Sequence, residues 1–260
     1  LFRSAYLENS ATVTAFGNVG VNAEDNLTLV FVAGVAGGAG TVAVGISNTT
    51  LVTDNHIEAY IGSGVKAYGK GKKATSQVYT GSTSQPGAWQ QVAMRGVSVT
   101  AVSAHAVRSF AVGGVGAGDV AVAGSGSLTT VVDSIKAHID SGATVIEGDA
   151  DAEADSHSTQ PQQNVNIFAA GKTIMWGVAG ALAGAGTVGV GVGLDIGVLT
   201  KTVEAYVAGT VQAVGNILVQ AISYEQVISI SASLGAAGTV GVAGSAGIYT
   251  LVLNTKAHVD

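Results

Sequence analysis

The dominant pattern along the chain is alternation. Thr187-Val188-Gly189-Val190-Gly191-Val192-Gly193 puts Val at every second position, and Val13, Ala15 and Gly17 repeat the rhythm, as do Ile228, Ile230 and Ala232 with Ser between them. A period of two in a context rich in Val, Ile and Thr predicts strands, because successive side chains of a strand point to opposite faces. Gly, Ser and Asn punctuate the runs and read as breaks between short strands, about six of them in the last copy of the repeat.

Two markers expose that repeat. One is a glycine step: Gly38-Ala39-Gly40-Thr41-Val42, Gly116-Ala117-Gly118-Asp119-Val120, Gly184-Ala185-Gly186-Thr187-Val188 and Ala236-Ala237-Gly238-Thr239-Val240. The other is Ala followed by a ring: Ala5-Tyr6, Ala59-Tyr60, Ala137-His138, Ala205-Tyr206 and Ala257-His258. Gly40 to Ala59, Gly118 to Ala137, Gly186 to Ala205 and Gly238 to Ala257 are each 19 residues, so this segment accepts no insertion. The return segment varies, and the full period is 78 from Ala59 to Ala137, 68 from Ala137 to Ala205 and 52 from Ala205 to Ala257. Both 52 and 78 are multiples of 26, which predicts coils of ~26 residues with three strands each and one 16-residue protruding loop. The expected fold is all-β: one parallel β-helix over residues 1–260, three-faced, with about ten coils in a rod roughly 48 Å long. Its ends would be open sheet edges, and the chain reads as a piece of something longer.

Composition narrows the function. The chain has 38 Gly, 2 Pro, no Cys, 5% aromatic and 11% charged residues, against about 25% charged in ordinary domains. That balance excludes disorder and collagen. Absence of Cys excludes a disulfide framework or a thiolate metal site. A net charge of −6 and the lack of a basic patch argue against a nucleic-acid partner. The run from Thr173 to Leu194 has no charge and is long enough for a membrane helix, but its Val–Gly alternation is that of a strand, and no membrane insertion is expected. An outer-membrane β-barrel also alternates and stays open as an alternative, although the aromatic girdles of barrels are missing.

The units Ile57-Glu58-Ala59-Tyr60-Ile61-Gly62-Ser63-Gly64-Val65-Lys66-Ala67 and Val203-Glu204-Ala205-Tyr206-Val207-Ala208-Gly209-Thr210-Val211-Gln212-Ala213, each joined to a Gly-Ala-Gly-Thr-Val step, resemble the repeats of large bacterial filamentous-haemagglutinin-type and leukotoxin-type surface adhesins. The resemblance implies a right-handed parallel β-helix, secretion to the cell surface, and binding to surfaces or other cells. It brings no catalytic motif.

Two insertions carry the candidate chemistry. The first, about 69–95, holds Lys70, Lys72, Lys73 and Trp89. The second, about 147–164, holds Asp149, Asp151, Glu153 and Asp155 at alternate positions, where carboxylates on one strand face could gather Ca²⁺. The EF-hand and glycine-rich nonapeptide patterns are absent, so a solvated acidic loop is the plainer reading, as it is for the basic run. Trp89 is a candidate anchor for a ligand or sugar face, or a lid folded back on the rod. Both insertions contain Gln-Pro and should leave the same side of the rod, roughly 15 Å apart (three coil heights). The histidines are read as forming no site: His138 and His258 share the ring slot of Tyr6, Tyr60 and Tyr206. Before that slot, Glu58, Lys136, Glu204 and Lys256 alternate in sign, which marks an exposed position. The functional expectation is a non-enzymatic shaft segment of a secreted adhesin or extracellular filament. Its expected partners are neighbouring repeats of the same chain, and host or neighbouring cell surfaces, glycans or other filaments. A polysaccharide-acting enzyme on the same scaffold is the alternative, with the acidic run as its only cluster of carboxylates.

Overall fold

The alternating runs form long strands, not short ones. The computed structural model describes residues 1–85, 87–147 and 163–260. Within them the elements are β1 (Phe2–Leu7), β2 (Thr12–Ala15), β3 (Val19–Ala39), β4 (Val42–Ile61), β5 (Lys66–Gly69), β6 (Ser76–Ser82), β7 (Trp89–Ala117), β8 (Val120–Ile139), β9 (Thr144–Glu147), β10 (Gln163–Ala185), β11 (Val188–Val207), β12 (Thr210–Gln212), β13 (Ile217–Ala237) and β14 (Val240–Val259). They build three parallel sheets. The first runs β1-β4-β8-β11-β14, the second β13-β10-β7-β3, and the third β12-β9-β5-β2. The chain visits the second, first and third sheets in turn and then starts the next layer. This all-β winding is that of a β-solenoid.

The layers stack in the register of the repeat. Ala59 pairs with Ala137, Ala137 with Ala205, and Ala205 with Ala257, at offsets of 78, 68 and 52 residues. One layer therefore consumes a whole period and not ~26 residues, and the sheets contain five or four layers where about ten coils were expected. The error lay in reading every Gly as a corner. Gly189, Gly191 and Gly193 lie inside β11 and face inward, where the two long sheets touch. A Cβ on Gly191 would come within 2.6 Å of the Leu234 carbonyl oxygen. The 26-residue excess is not an extra coil either. It is the first insertion, in which β6 pairs antiparallel with the start of β7. The invariant 19-residue segment is a single strand, β4, β8, β11 or β14, and a strand locked between two neighbours has no place for an extra residue.

The real corners are the glycine steps. A Cβ on Gly118 would run into the carbonyl oxygen of Gly40 in the layer beside it, and one on Gly186 into that of Gly118. At the other end of β4 and β8 the chain turns through Gly64 (φ +75°) and Gly142 (φ +80°), a left-handed conformation that glycine adopts without a steric penalty.

The interior changes character along the strands. At the wide end all three sheets meet over Val19, Ile57, Ala59, Ile61, Ala67 and their stacked equivalents. Further along lies a smaller apolar group of Leu51, Val107, Val131, Met175 and Leu199. At the glycine-step end only two sheets remain, separated by Ala43, Ala121, Ala123, Ala181 and Ala183. Side-chain size thus sets a taper from a three-sheet base to a thin two-sheet blade. Each fully buried Ile or Val of the base contributes ~1.5–3 kcal/mol. The charge-free run 173–194 lies in β10 and β11, and no helix among the described residues is long and apolar enough to cross a membrane.

Candidate functional site

Between the base and the middle apolar group the interior is ionic. On β3, β7 and β8, Asp25, His105 and Asp133 occupy inward positions and are 3%, 2% and 2% exposed. His105 Nε2 lies 2.8 Å from Asp25 Oδ2, and its Nδ1 lies 2.9 Å from Asp133 Oδ1. Arg3 caps the column by donating its Nε–H to Asp25 Oδ1 at 2.5 Å. Asn55 and Thr173 each donate to Asp133 at 2.8 Å. Deeper along the axis, Lys201 is stacked in register on Asp133 and pairs with Glu225 at 3.0 Å. Its ammonium also donates to the Gly171 carbonyl at 2.7 Å, and Gly171 leaves the space that the Lys201 side chain fills. Along the solenoid axis the signs alternate: Arg3, Asp25, His105, Asp133, Lys201, Glu225.

Protonation follows from this arrangement. Burial alone pushes the His105 imidazole down, but hydrogen bonds and charge from Asp133 and Asp25 outweigh it and hold the ring above the usual histidine range. With a carboxylate at each nitrogen, both nitrogens donate and the ring is the imidazolium. Burial likewise opposes the Asp133 charge, yet His105, Asn55 and Thr173 keep its carboxyl below the usual range. Burial pushes the Lys201 ammonium down, against the raising influence of Glu225 and Asp133. Asp25, His105, Asp133 and Lys201 are closed to solvent, while Arg3 reaches the surface and Glu225 is partly exposed. A column of this kind suits the role of a register lock: sliding one layer by a residue would carry a charge to the outer face and leave its partner unpaired in the core.

None of this column was singled out from the sequence. His105 is part of this buried column: Asp25 reaches it from the adjacent layer and Asp133 from the facing sheet of its own layer. The acidic run is likewise not the only gathering of carboxylates, since Asp25 and Asp133 are 108 positions apart in the chain and meet on one ring. A signal was present. Asp133 lies between Val131 and Ile135, and Lys201 between Leu199 and Val203, at the parity of core residues.

The ring slot behaves as its composition suggests. Tyr6, Tyr60, His138, Tyr206 and His258 form a continuous stack with centroids 5.3, 5.0, 4.6 and 5.3 Å apart. Carboxylates flank it: His138 contacts Asp140 at 2.8 Å and Glu58 at 3.1 Å, and Tyr60 donates to Glu8. Burial first, then Asp140 and Glu204, push the Tyr206 hydroxyl up to about 12. The sign-alternating position stacks in the same way, with Lys136 3.6 Å from Glu204.

The first insertion does not project freely. Its hairpin, β6 with the start of β7, lies on the outer face of the second sheet. Trp89 and Tyr79 pack against Phe168, which is fully buried beneath them. Trp89 is therefore a clasp and not a free ligand anchor. Asn166 donates to the Tyr79 carbonyl at 3.0 Å, and Gln220 accepts from the Gly81 N–H at 3.0 Å. A cleft lined by Val92, Met94, Asn164, Asn166, Asn216 and Leu218 runs between hairpin and sheet. Lys72 and Lys73 are exposed, whereas Lys70 is half-buried with its ammonium 5.4 Å from the Phe16 ring centre. Asp149, Asp151, Glu153 and Asp155 lie outside the described residues, and with them the candidate Ca²⁺ site. Among the described residues no group of three or more His, Asp or Glu is arranged to hold a metal ion. The two insertions start not three coil heights apart but on adjacent strands, since Gly69 pairs with Glu147 and Arg95 with Gln163. Their bases are one strand spacing apart, ~4.8 Å. Gln163 bridges them by donating to the Lys70 carbonyl at 2.5 Å. Comparison with family models, with curated proteins and with solved structures finds no match to the chain.

Proposed function

We propose that the chain is a shaft segment of a secreted bacterial surface filament of the adhesin type. In this reading it winds as a right-handed solenoid, is displayed outside the cell and performs no catalysis. The observation that carries the reading is the stacking itself. Each layer repeats a glycine step, an aromatic ring slot and a 20-residue strand of the first sheet, and stacks in register on its neighbours, a geometry that can extend along one axis. The right-handed preference of parallel crossovers favours that hand. The closure of Asp25, His105 and Asp133 to solvent supports a structural role for them over polysaccharide cleavage.

Contact with cells, glycans or a neighbouring filament is assigned to the two insertions, which leave the shaft side by side. The test is deletion of residues 70–94 and of 148–163, separately and together, followed by adhesion to cultured cells and to a glycan array. Loss of adhesion with the melting transition preserved supports the assignment. Adhesion unchanged in the double deletion removes it.

A further inference from the structure

The thin half of each layer is inside-out. In β11 the inward positions are Gly189, Gly191, Gly193, Asp195 and Gly197, while the outward ones are Val190, Val192, Leu194, Ile196 and Val198. In β8 Ala121, Ala123, Ser125 and Ser127 point in, while Val120, Val122 and Leu128 point out. The second sheet does the same: Val112, Trp176, Val178, Leu182, Ile230 and Leu234 cover its outer face. This exposure is not confined to the end strands. Val112, Leu182 and Val192 are 51%, 52% and 50% exposed on strands paired on both sides. Large apolar side chains outside over small and hydroxylic ones inside is the reverse of a water-soluble sheet and the arrangement of membrane-facing strands.

From this arrangement we infer that the blade inserts edge-on into a lipid bilayer. Three further observations select lipid as the occupant. The blade is apolar on both outer faces. A second protein docking on one face would leave the other bare, whereas acyl chains cover both. It is also nearly free of charge: residues 28–53 and 226–252 carry none, 174–200 only the inward-facing Asp195, and 106–132 only Arg108 and the corner Asp119. Asp195 is fully buried, and its Oδ2 accepts from Tyr249 at 2.8 Å and Ser229 at 2.6 Å. Finally, the blade has a boundary of the kind found at membrane interfaces. Where it meets the charged base, the Arg108 guanidinium lies 5.6 Å from the Trp176 ring centre and the Lys172 ammonium 5.9 Å from that of Tyr224. Aromatic rings and basic side chains with long apolar stems occupy such interfaces because each has an apolar body and a polar tip. From Trp176 to the corner at Ala185 is about ten residues, roughly 33 Å of strand, against ~30 Å for the hydrocarbon core. Backbone groups of the inner blade strands β7, β8, β10 and β11 are paired on both sides, as the bilayer interior requires, while β3, β4, β13 and β14 each carry one open edge in the blade.

Insertion of the blade runs against the expectation of no membrane insertion, which rested on the strand-like alternation of 173–194 and on the missing aromatic girdles of a barrel. It also stands apart from the adhesin reading, because its test uses protein-free vesicles without receptor or glycan. The full chain is floated with large unilamellar vesicles of phosphatidylcholine, and of phosphatidylcholine with one-fifth phosphatidylglycerol. The same sample is measured by Trp fluorescence with brominated acyl chains, using Trp89→Phe so that Trp176 is the sole reporter. The expected results are flotation with both vesicles, quenching of Trp176, and at least tenfold weaker partitioning for Leu182→Asp and Val192→Asp, which alter only outward side chains. Absence of flotation and of quenching by the unsubstituted chain overturns the proposal, whatever the variants do. Flotation unaffected by both Asp substitutions overturns it too. Sedimentation showing self-association that these substitutions abolish, with no vesicle binding, assigns the faces to a second copy instead.

Discussion

Replacing His105 by Leu tests the ionic column most directly. The substitution keeps a side chain of similar bulk but removes both donors that face Asp25 and Asp133. Asp25 keeps Arg3, and Asp133 keeps Asn55 and Thr173, so each carboxylate loses part of its compensation and not all of it. Breaking a buried ion pair on one side costs ~3–5 kcal/mol. For a chain of this size that lowers Tm by roughly 10 °C. The dependence on pH is the more specific signature. Because the His105 pKa is raised in the folded state, its stabilisation is fully present below the ordinary histidine value of about 6.5 and is lost as pH climbs through the raised value. In the variant the buried Asp133 carboxylate, without its imidazolium partner, is relieved as it takes up a proton in acid. The stability gap should therefore be widest near pH 6 and narrow toward both pH 4 and pH 9. Guanidinium unfolding across that range at constant ionic strength measures it. A loss below ~1 kcal/mol, or a gap that stays flat with pH, would refute the assignment of an imidazolium between two buried carboxylates.

Other consequences are simpler to measure. Gly186→Ala should lower Tm by several degrees, because its Cβ meets the Gly118 carbonyl oxygen of the adjacent layer and overpacking costs ~1–3 kcal/mol, whereas Gly184→Ala, with open space around it, should be neutral. His138→Ala should cost ~1–3 kcal/mol in chemical unfolding by breaking two ring stacks, and His138→Tyr should recover most of that because the slot selects a flat ring. Trp89→Ala should release the hairpin from Phe168, seen as faster limited proteolysis within residues 70–94 while the solenoid core stays protected. Asp133→Asn should be destabilising by more than 1 kcal/mol and abolish the acid limb of the pH profile, since Asp133 is held ionised below the usual carboxylate range and its stabilisation disappears as pH falls through that lowered value.

Much of the architecture can be read from residue spacing. Alternation specified strands, and the 19-residue interval specified a segment without insertions, because a strand paired on both sides has no slack. The interchange of Tyr and His specified a slot for a flat ring, and the register of the layers turns that slot into a continuous stack. The length of a layer was misread because glycine has two uses here: at Gly118 and Gly186 it turns a corner, and at Gly189, Gly191 and Gly193 it lets two sheets touch. A local pattern does not distinguish them. The ionic column was missed for a related reason. Asp25 meets His105 only when one layer is stacked on the next, and Asp133 meets it only when the two long sheets of a layer face each other.

The sequence by itself determined that the chain is β-rich, repetitive and in register at the Ala-ring marker, because period and spacing are properties of one dimension. Tertiary structure decided which of two alternating faces is the inside. Val188 to Gly193 reads equally well with Val in the core or on the surface, and periodicity alone is symmetric between the two. Only the contact between the long sheets breaks that symmetry. The carbonyl groups of Ala236 and Leu234 leave no room for a Cβ on Gly189 and Gly191, so glycine must face in and valine must face out.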